Sequence, residues 1–283
     1  MTATVAGTGD AAVFAPASKR WRYGWLVEVG VMAGLFQLYE LGRELVAGGT
    51  AAAFANAEGI VDAQRWLGIL WERSIQQAFL DTDWFITFWN WFYGTVHFLL
   101  PAAALVFLYR RAPARYLRWR NTLLAMWAIG VLVFWLYPLM PPRLMPPGYG
   151  CAGSKPCVVD TAVGYTNLGP RRELEFNRDG TPTKATLDQY ANPYAAMPSF
   201  HIGWSTFTAA ALWSFLRRHW MKVAMVAYLL AVIFCITVTG NHWLLDVPGG
   251  WAVVAAGLGV ALVVERVWLR VRARPASASV GVG

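Results

Sequence analysis

The sequence predicts an all-α protein that crosses a membrane with six helices, and three observations predict it. Of the 283 residues, 57 % are hydrophobic and only 14 % are charged, against roughly a quarter charged in ordinary soluble domains. Sixteen residues are tryptophan, a side chain that gathers at membrane–water interfaces. Apolar runs near the roughly 20 residues that a helix needs to cross the hydrocarbon core recur along the chain.

Residues 1–18 are rich in Ala, Thr and Gly and lack both a core pattern and the cationic start of a signal peptide, so they read as a disordered tail. A membrane domain follows over 19–270, with a second tail at 271–283. Its first span covers 23–41 and carries Glu28 and Glu40. Between Gly42 and Asp83 the chain is mixed, and the stretch 64–79 has the amphipathic pattern of a segment lying along the interface. An aromatic belt from Trp84 to Tyr93 leads into a second span at 93–109, and a third runs over 121–140. Residues 141–196 form the one long polar loop, rich in Pro, Gly and charge. The fourth span covers 198–217, with Pro198 suited to a first helical position. The fifth covers 223–239 and the sixth 244–264. No internal repeat and no soluble second domain stand out.

A net charge of +8 suggests nucleic acid as a partner until the basic residues are located. They cluster at 19–22, 110–120, 217–222 and 266–274, each beside a hydrophobic run. Cytoplasmic loops collect Lys and Arg in this way, so the charge is a topology signal and argues against a nucleic-acid role. With an even number of spans, all four clusters fall on one side. Both termini are then cytoplasmic, and the 141–196 loop faces the extracytoplasmic side. The Ala-, Arg- and Trp-rich usage fits a bacterial plasma membrane. Cys151 and Cys157 share that loop and could pair there as a disulfide or stay free, while Cys235 reads as a small core residue.

Two polar islands then fall at one membrane face. Met197-Pro198-Ser199-Phe200-His201 opens the fourth span, and Gly240-Asn241-His242-Trp243-Leu244-Leu245-Asp246 separates the fifth from the sixth. Ionisable groups at such depth are costly and usually functional. His242 and Asp246, four residues apart, would share one face of a helix, so that the carboxylate fixes the imidazole tautomer. The same spacing also fits a purely structural pair. Ser199 and His201 would stand at a helix N-terminus, where an anion is favoured, or would act only as a cap and an interfacial histidine. Arg143, just past the third span, suits a phosphate oxygen. His97, four residues after Tyr93, either reaches the same cavity or is a satisfied core histidine. No metal-binding motif of the His-Glu-x-x-His type occurs.

Together these islands resemble the motifs of the type 2 phosphatidic acid phosphatase superfamily, membrane enzymes that share a helical core with vanadium haloperoxidases. Pro198-Ser199-Phe200-His201 is similar to the family's Pro-Ser-x-His motif, and Gly240 through Asp246 to the end of its third motif. The resemblance covers roughly residues 90–265. It implies a phosphatidic acid phosphatase/haloperoxidase-like helical core and no cofactor. It also implies that His242 forms a phosphohistidine, that Asp246 orients it and that His201 protonates the leaving oxygen. Ser199, Arg143 and amides near Gly240 would hold the phosphoryl oxygens, with His97, Tyr93 and Asn241 in support.

The chain departs from the family pattern where two cations are expected: Leu136 stands for a lysine, and Cys235-Ile236 for Ser-Arg. Arg171, Arg172 or Lys184 could replace them, or the substrate could be a phosphodiester, with about one negative charge where a monoester has nearly two. Tyr93-Gly94-Thr95-Val96-His97, Tyr137-Pro138 and Pro141-Pro142-Arg143 look like the branch of inositol phosphorylceramide synthases. That branch implies transfer of a phospho-head group between lipid substrates, or to a polyol hydroxyl. The alternatives are a lipid phosphate or polyprenyl pyrophosphate phosphatase, and a non-catalytic lipid transporter or scaffold. The oligomeric state has no signature in the sequence.

Overall fold

A computed structural model describes residues 24–46, 48–146, 158–161, 177, 183 and 192–273. Among these residues the regular structure is helical, apart from one isolated parallel bridge between Leu139 and Ala195. The helices are α1 (Gly24–Leu45), α2 (Thr50–Leu67), α3 (Glu72–Gln77), α4 (Asp83–Arg111), α5 (Pro113–Leu136), α6 (Phe200–Leu212), α7 (His219–Val238) and α8 (Asp246–Ala273). Short 3₁₀ turns occupy Pro142–Leu144 and Trp213–Phe215. Helix α8 thus runs three residues into the expected C-terminal tail. The N-terminal tail, Cys151, Cys157, Arg171, Arg172 and Lys184 lie outside the described residues.

Among the described residues four helices are long and apolar enough to cross a membrane: α4, α5, α7 and α8 up to Val271. Their surfaces agree, since Leu99 (64 % exposed), Leu132 (50 %), Leu230 (61 %) and Val263 (58 %) point outward, one from each helix. Apolar area on that scale suits lipid rather than water. The expectation of six spans is met only in part. Helix α1 is 22 residues long but carries Glu28, Glu40, Arg43 and Glu44. Helix α6 has 13 residues, about 20 Å at 1.5 Å per residue, short of a bilayer core. It starts at Phe200 with Ser199 as its cap, so Pro198 stands before the helix rather than inside it.

Helix α6 occupies the centre, against α4, α7 and α8, while α5 and α8 form the most extensive pair and α1 packs chiefly on α5. The α5–α8 approach depends on Gly257, where a Cβ would meet Met126 Cγ and the Thr122 carbonyl oxygen at 2.8 Å. Small residues let helices close to this distance in a membrane. Three of the four basic clusters meet at one end of the bundle. There Arg115 hydrogen-bonds Ser214, and Arg118 holds Glu265 through two bonds of 2.8 and 3.0 Å. The histidines of interest lie towards the other end.

The stretch 64–79 is not one continuous amphipathic helix. Gly68, with φ of 70°, breaks it into the end of α2 and the short α3. Its polar side is turned inward: Gln64, Glu72 and Gln76 are at most 1 % exposed, while Trp66 is 85 % and Trp71 54 % exposed.

Candidate active site

The two polar islands and the start of the polar loop close around a cavity of about 340 Å³. His242, His201, His97, Tyr93, Asn241 and Arg143 all line it. The His201 and His242 rings are 5.4 Å apart between centroids, and His201 stacks on Tyr93 at 3.8 Å. His97 lies 4.0 Å from His201 and stacks on Trp204 at 5.2 Å. Nε2 of His201 and Nδ1 of His97 are buried without a hydrogen-bond partner among the described residues.

His242 is held by its other neighbours. Its Nδ1 is 2.8 Å from the Ala196 carbonyl oxygen and 3.2 Å from Asp246 Oδ2. A carbonyl can only accept, so Nδ1 carries a proton, and in the neutral imidazole the lone pair is then on Nε2. The pair does not share a helix face as its spacing suggests. Residues 241–245 form a turn, α8 begins at Asp246, and Asp246 Oδ2 also accepts from the Trp243 amide at 2.9 Å. Asn241 donates to Thr239 Oγ1 at 2.7 Å and keeps a buried Oδ1 without a partner among the described residues.

Gly240 and Ser199 take structural places. Gly240 has a φ of 70°, and a Cβ there would lie 2.6 Å from Val158 Cγ1, so both backbone and space require glycine. The amides of Gly240, Asn241 and His242 are all committed to carbonyls of α7, so none points to a phosphate. The Gly240 carbonyl accepts instead from the Arg143 amide at 3.1 Å. Ser199 is fully buried outside the cavity lining, and its hydroxyl oxygen accepts from the Ile202 amide at 3.4 Å, as a helix cap does.

Four groups escaped the sequence reading. Arg43 and Glu40, from the end of α1, line the cavity as an ion pair, and Nε of Arg43 is buried without a hydrogen-bond partner among the described residues. Asp160, 2 % exposed, stands 3.7 Å from Arg143 Nε. The fourth is the buried cradle Gln64–Glu72–Gln76. Glu72 Oε1 accepts from the Leu244 amide (2.8 Å) and from Gln64 (2.7 Å), while Gln64 Oε1 accepts from the Leu245 amide (2.9 Å). Gln76 accepts from the Val159 amide at 2.6 Å and donates to the Val159 and Val238 carbonyls at 2.9 and 3.2 Å. The His242 turn and the Asp160 loop are thereby fixed to one support. Burial holds the Glu72 carboxyl above the usual carboxylate range, against the lowering effect of the Leu244 and Gln64 hydrogen bonds.

The two motif positions without cations also find an explanation. Leu136 is 64 % exposed at the end of α5, and Ile236 is fully buried, its carbonyl accepting from the Asn241 and His242 amides. Neither side chain reaches the cavity lining, whereas Arg43 does. Cys235 is a buried free thiol that donates to the Trp89 carbonyl oxygen at 3.3 Å. Among the described residues no three His, Cys, Asp or Glu side chains converge as metal ligands do.

The family model described as the PAP2 superfamily matches residues 58–260. Among curated proteins and solved structures, none matches the chain.

Proposed function

Because the chain belongs to the PAP2 superfamily, we propose that it is an integral-membrane enzyme that cleaves a lipid phosphate ester through a phosphohistidine on His242. The observation that carries the reading is the Nδ1 bond of His242 to the Ala196 carbonyl, which leaves Nε2 as the nucleophile beside His201 and two arginines. Nε2 attacks phosphorus, the bond to the leaving alkoxide breaks, and His201 supplies the proton to that oxygen. An acceptor hydroxyl then attacks phosphorus, gives its proton to His201 and releases His242. Arg43 and Arg143 neutralise the equatorial oxygens, where phosphoryl transfer needs charge most.

The charge balance favours a phosphodiester donor, and so transfer of a phospho-head group to a lipid or polyol hydroxyl, as in inositolphosphotransferases. Each arginine already faces a carboxylate, Arg43 with Glu40 and Arg143 with Asp160. These four groups sum to no net charge, which matches one phosphate charge better than two. We assign the basic end of the bundle to the cytoplasm and the cavity to the outer half of the membrane, with α1 as a fifth span and α6 together with the 3₁₀ turn that follows it as a sixth.

The test uses purified protein in lipid–detergent micelles. Phosphatidic acid, a polyprenyl pyrophosphate and phosphatidylinositol are supplied, the last with and without a hydroxylated lipid acceptor, to wild type and His242→Ala. A new head-group lipid formed only with acceptor and lost in the variant supports transfer. Free phosphate that depends on His242 replaces transfer by hydrolysis. Equal behaviour of the two proteins on every substrate overturns the catalytic reading.

A further inference from the structure

A second cavity, about 720 Å³, continues from the first along the helices. This size is typical of sites that enclose small molecules. His97, Phe98 and Trp204 line both cavities and form the partition between them. Along α1 the order is regular: Arg43, Glu40 and Tyr39 face the catalytic cavity, and then Phe36, Met32, Val29 and Glu28 face the larger chamber. On α4 the sequence runs from Tyr93 and His97 to Pro101, Leu105 and Tyr109. Helix α1 packs chiefly on α5, and the space between α1 and α4 is this chamber. The two helices meet at the throat, where Phe36 and Phe98 are in edge contact at 6.1 Å.

The walls are apolar and the far end is not. Glu28 sits there, accepting from Tyr116 Oη at 2.7 Å and from Arg120 at 2.9 Å. From Phe98 to Tyr109 on α4 the drop is about 16 Å at 1.5 Å per residue, roughly half of a hydrocarbon core of about 30 Å. A lipid whose phosphate ester lay between His242 and His201 would have its tail directed at the throat.

We infer that this chamber holds one hydrocarbon chain of the donor lipid, and that the Glu28–Arg120–Tyr116 floor limits the length it accepts. The inference rests on the lipid phosphate reading above. An apolar chain gains from the aromatic walls, but it cannot satisfy the charged floor and would leave it unpartnered by pushing further. Chains longer than the chamber must bend out between α1 and α4 and bind less well.

Ala33 and Ala102 line the chamber and not the catalytic cavity, so Ala33→Trp and Ala102→Trp fill it without touching the reacting groups. The donor that wild type cleaves best, phosphatidic acid or phosphatidylinositol, is supplied in dioctanoyl and dipalmitoyl forms. The expected result is a preference for the long chain in wild type that falls by about tenfold or more in the variants, a change of pocket filling worth 1.4 kcal/mol or more, with activity on the short form retained. An unchanged preference in variants that melt like wild type overturns the inference and leaves the proposed function standing. A direct measurement needs no turnover. His242→Ala is photolabelled with a dipalmitoyl-length phosphatidic acid carrying a diazirine next to the chain methyl. Crosslinks within residues 25–36 and 98–109, weakened by Ala102→Trp, are expected; crosslinks confined to lipid-facing sites such as Leu132 and Leu230 overturn the chamber. If wild type cleaves no lipid phosphate, the proposed function falls and the photolabelling still decides what the chamber binds.

Discussion

The Ala196 carbonyl oxygen stands 2.8 Å from Nδ1 of His242, closer than the Asp246 carboxylate at 3.2 Å. Two acceptors therefore compete for one proton, and either alone is enough to keep it on Nδ1. Ala196 is itself fixed, because its amide donates to the Leu139 carbonyl and Trp243 Nε1 holds the Met140 carbonyl at 2.8 Å beside it. The tautomer of the proposed nucleophile is set by the backbone of the polar loop as much as by the motif aspartate.

Asp246→Asn should therefore damage the reaction less than His242→Ala. Asparagine keeps an oxygen for the Trp243 amide, and Ala196 keeps the tautomer; what is lost is the negative charge beside an imidazole that becomes cationic on attack. We expect kcat to fall roughly 10- to 100-fold with KM little changed, against complete loss of phosphohistidine in His242→Ala. Rapid acid-free quenching with labelled donor measures both. Equal losses in the two variants would show that the Ala196 bond does not hold the ring in its working tautomer.

Arg43 carries the second prediction. Replacing it by alanine removes one of the two guanidiniums that line the cavity among the described residues and leaves Glu40 facing the phosphate unopposed. Loss of a charge-assisted bond together with this repulsion should lower kcat/KM by roughly 10- to 1000-fold. The Arg43→Ala, Glu40→Gln double variant should recover part of it, since the repulsion goes as well. A steady-state comparison of the four proteins in the cycle tests this, and no loss in Arg43→Ala would remove Arg43 from phosphate binding.

What the sequence made legible follows the physics of each signal. His201, His242 and Asp246 were readable because polar residues interrupting apolar runs are conspicuous and short spacings survive any local geometry. The helical premise for His242 and Asp246 was wrong, and yet a turn brings them together at the same separation. Ala196 was unreadable, since a backbone carbonyl has no side-chain signature. Gln64, Glu72 and Gln76 were visible as a polar stripe but were read as facing outward, whereas their partners, the amides of Val159, Leu244 and Leu245, lie far along the chain and turn them inward. Arg43 sits about 150 residues before the loop it joins through Asn192, whose side chain donates to the Arg43 carbonyl at 2.6 Å, and no local pattern reports so distant a neighbour. The length of α6 was overestimated because apolarity continues past Leu212 where the helix does not.

Glu72 predicts a pH dependence of stability. Its carboxyl is raised by burial above its unfolded value, so between the two values the folded state binds more protons than the unfolded one. Stability then falls as pH rises from the ordinary carboxylate range towards the raised value, and the full contribution is present only below that range. Glu72→Gln retains an oxygen for the Leu244 amide and removes the titration. The difference in melting temperature, wild type minus Glu72→Gln, should decline across this window; a flat or rising difference would contradict a buried carboxyl at this site.

Gly240→Ala is the sharpest structural test, because a single methyl meets two separate obstacles. The first is conformational, since the φ of 70° is costly for any residue with a Cβ, by about 1 kcal/mol or more. The second is steric, the new carbon falling 2.6 Å from Val158 Cγ1 and 3.1 Å from Gln76 Nε2. Val158→Ala removes the nearest clash and leaves the backbone cost and the crowding of Gln76. Gly240→Ala alone should destabilise by roughly 2–4 kcal/mol, and the double variant should recover about 1 kcal/mol or more of this. Activity should fall further than stability at temperatures where the fold is intact. The Gly240 carbonyl holds the Arg143 amide and the next two residues lead to His242, so a shift here moves a phosphate ligand and the proposed nucleophile together. Chemical denaturation and donor cleavage measured on the four proteins of the cycle separate the two effects, and no coupling between Gly240→Ala and Val158→Ala would assign the cost to the backbone and to the crowding of Gln76.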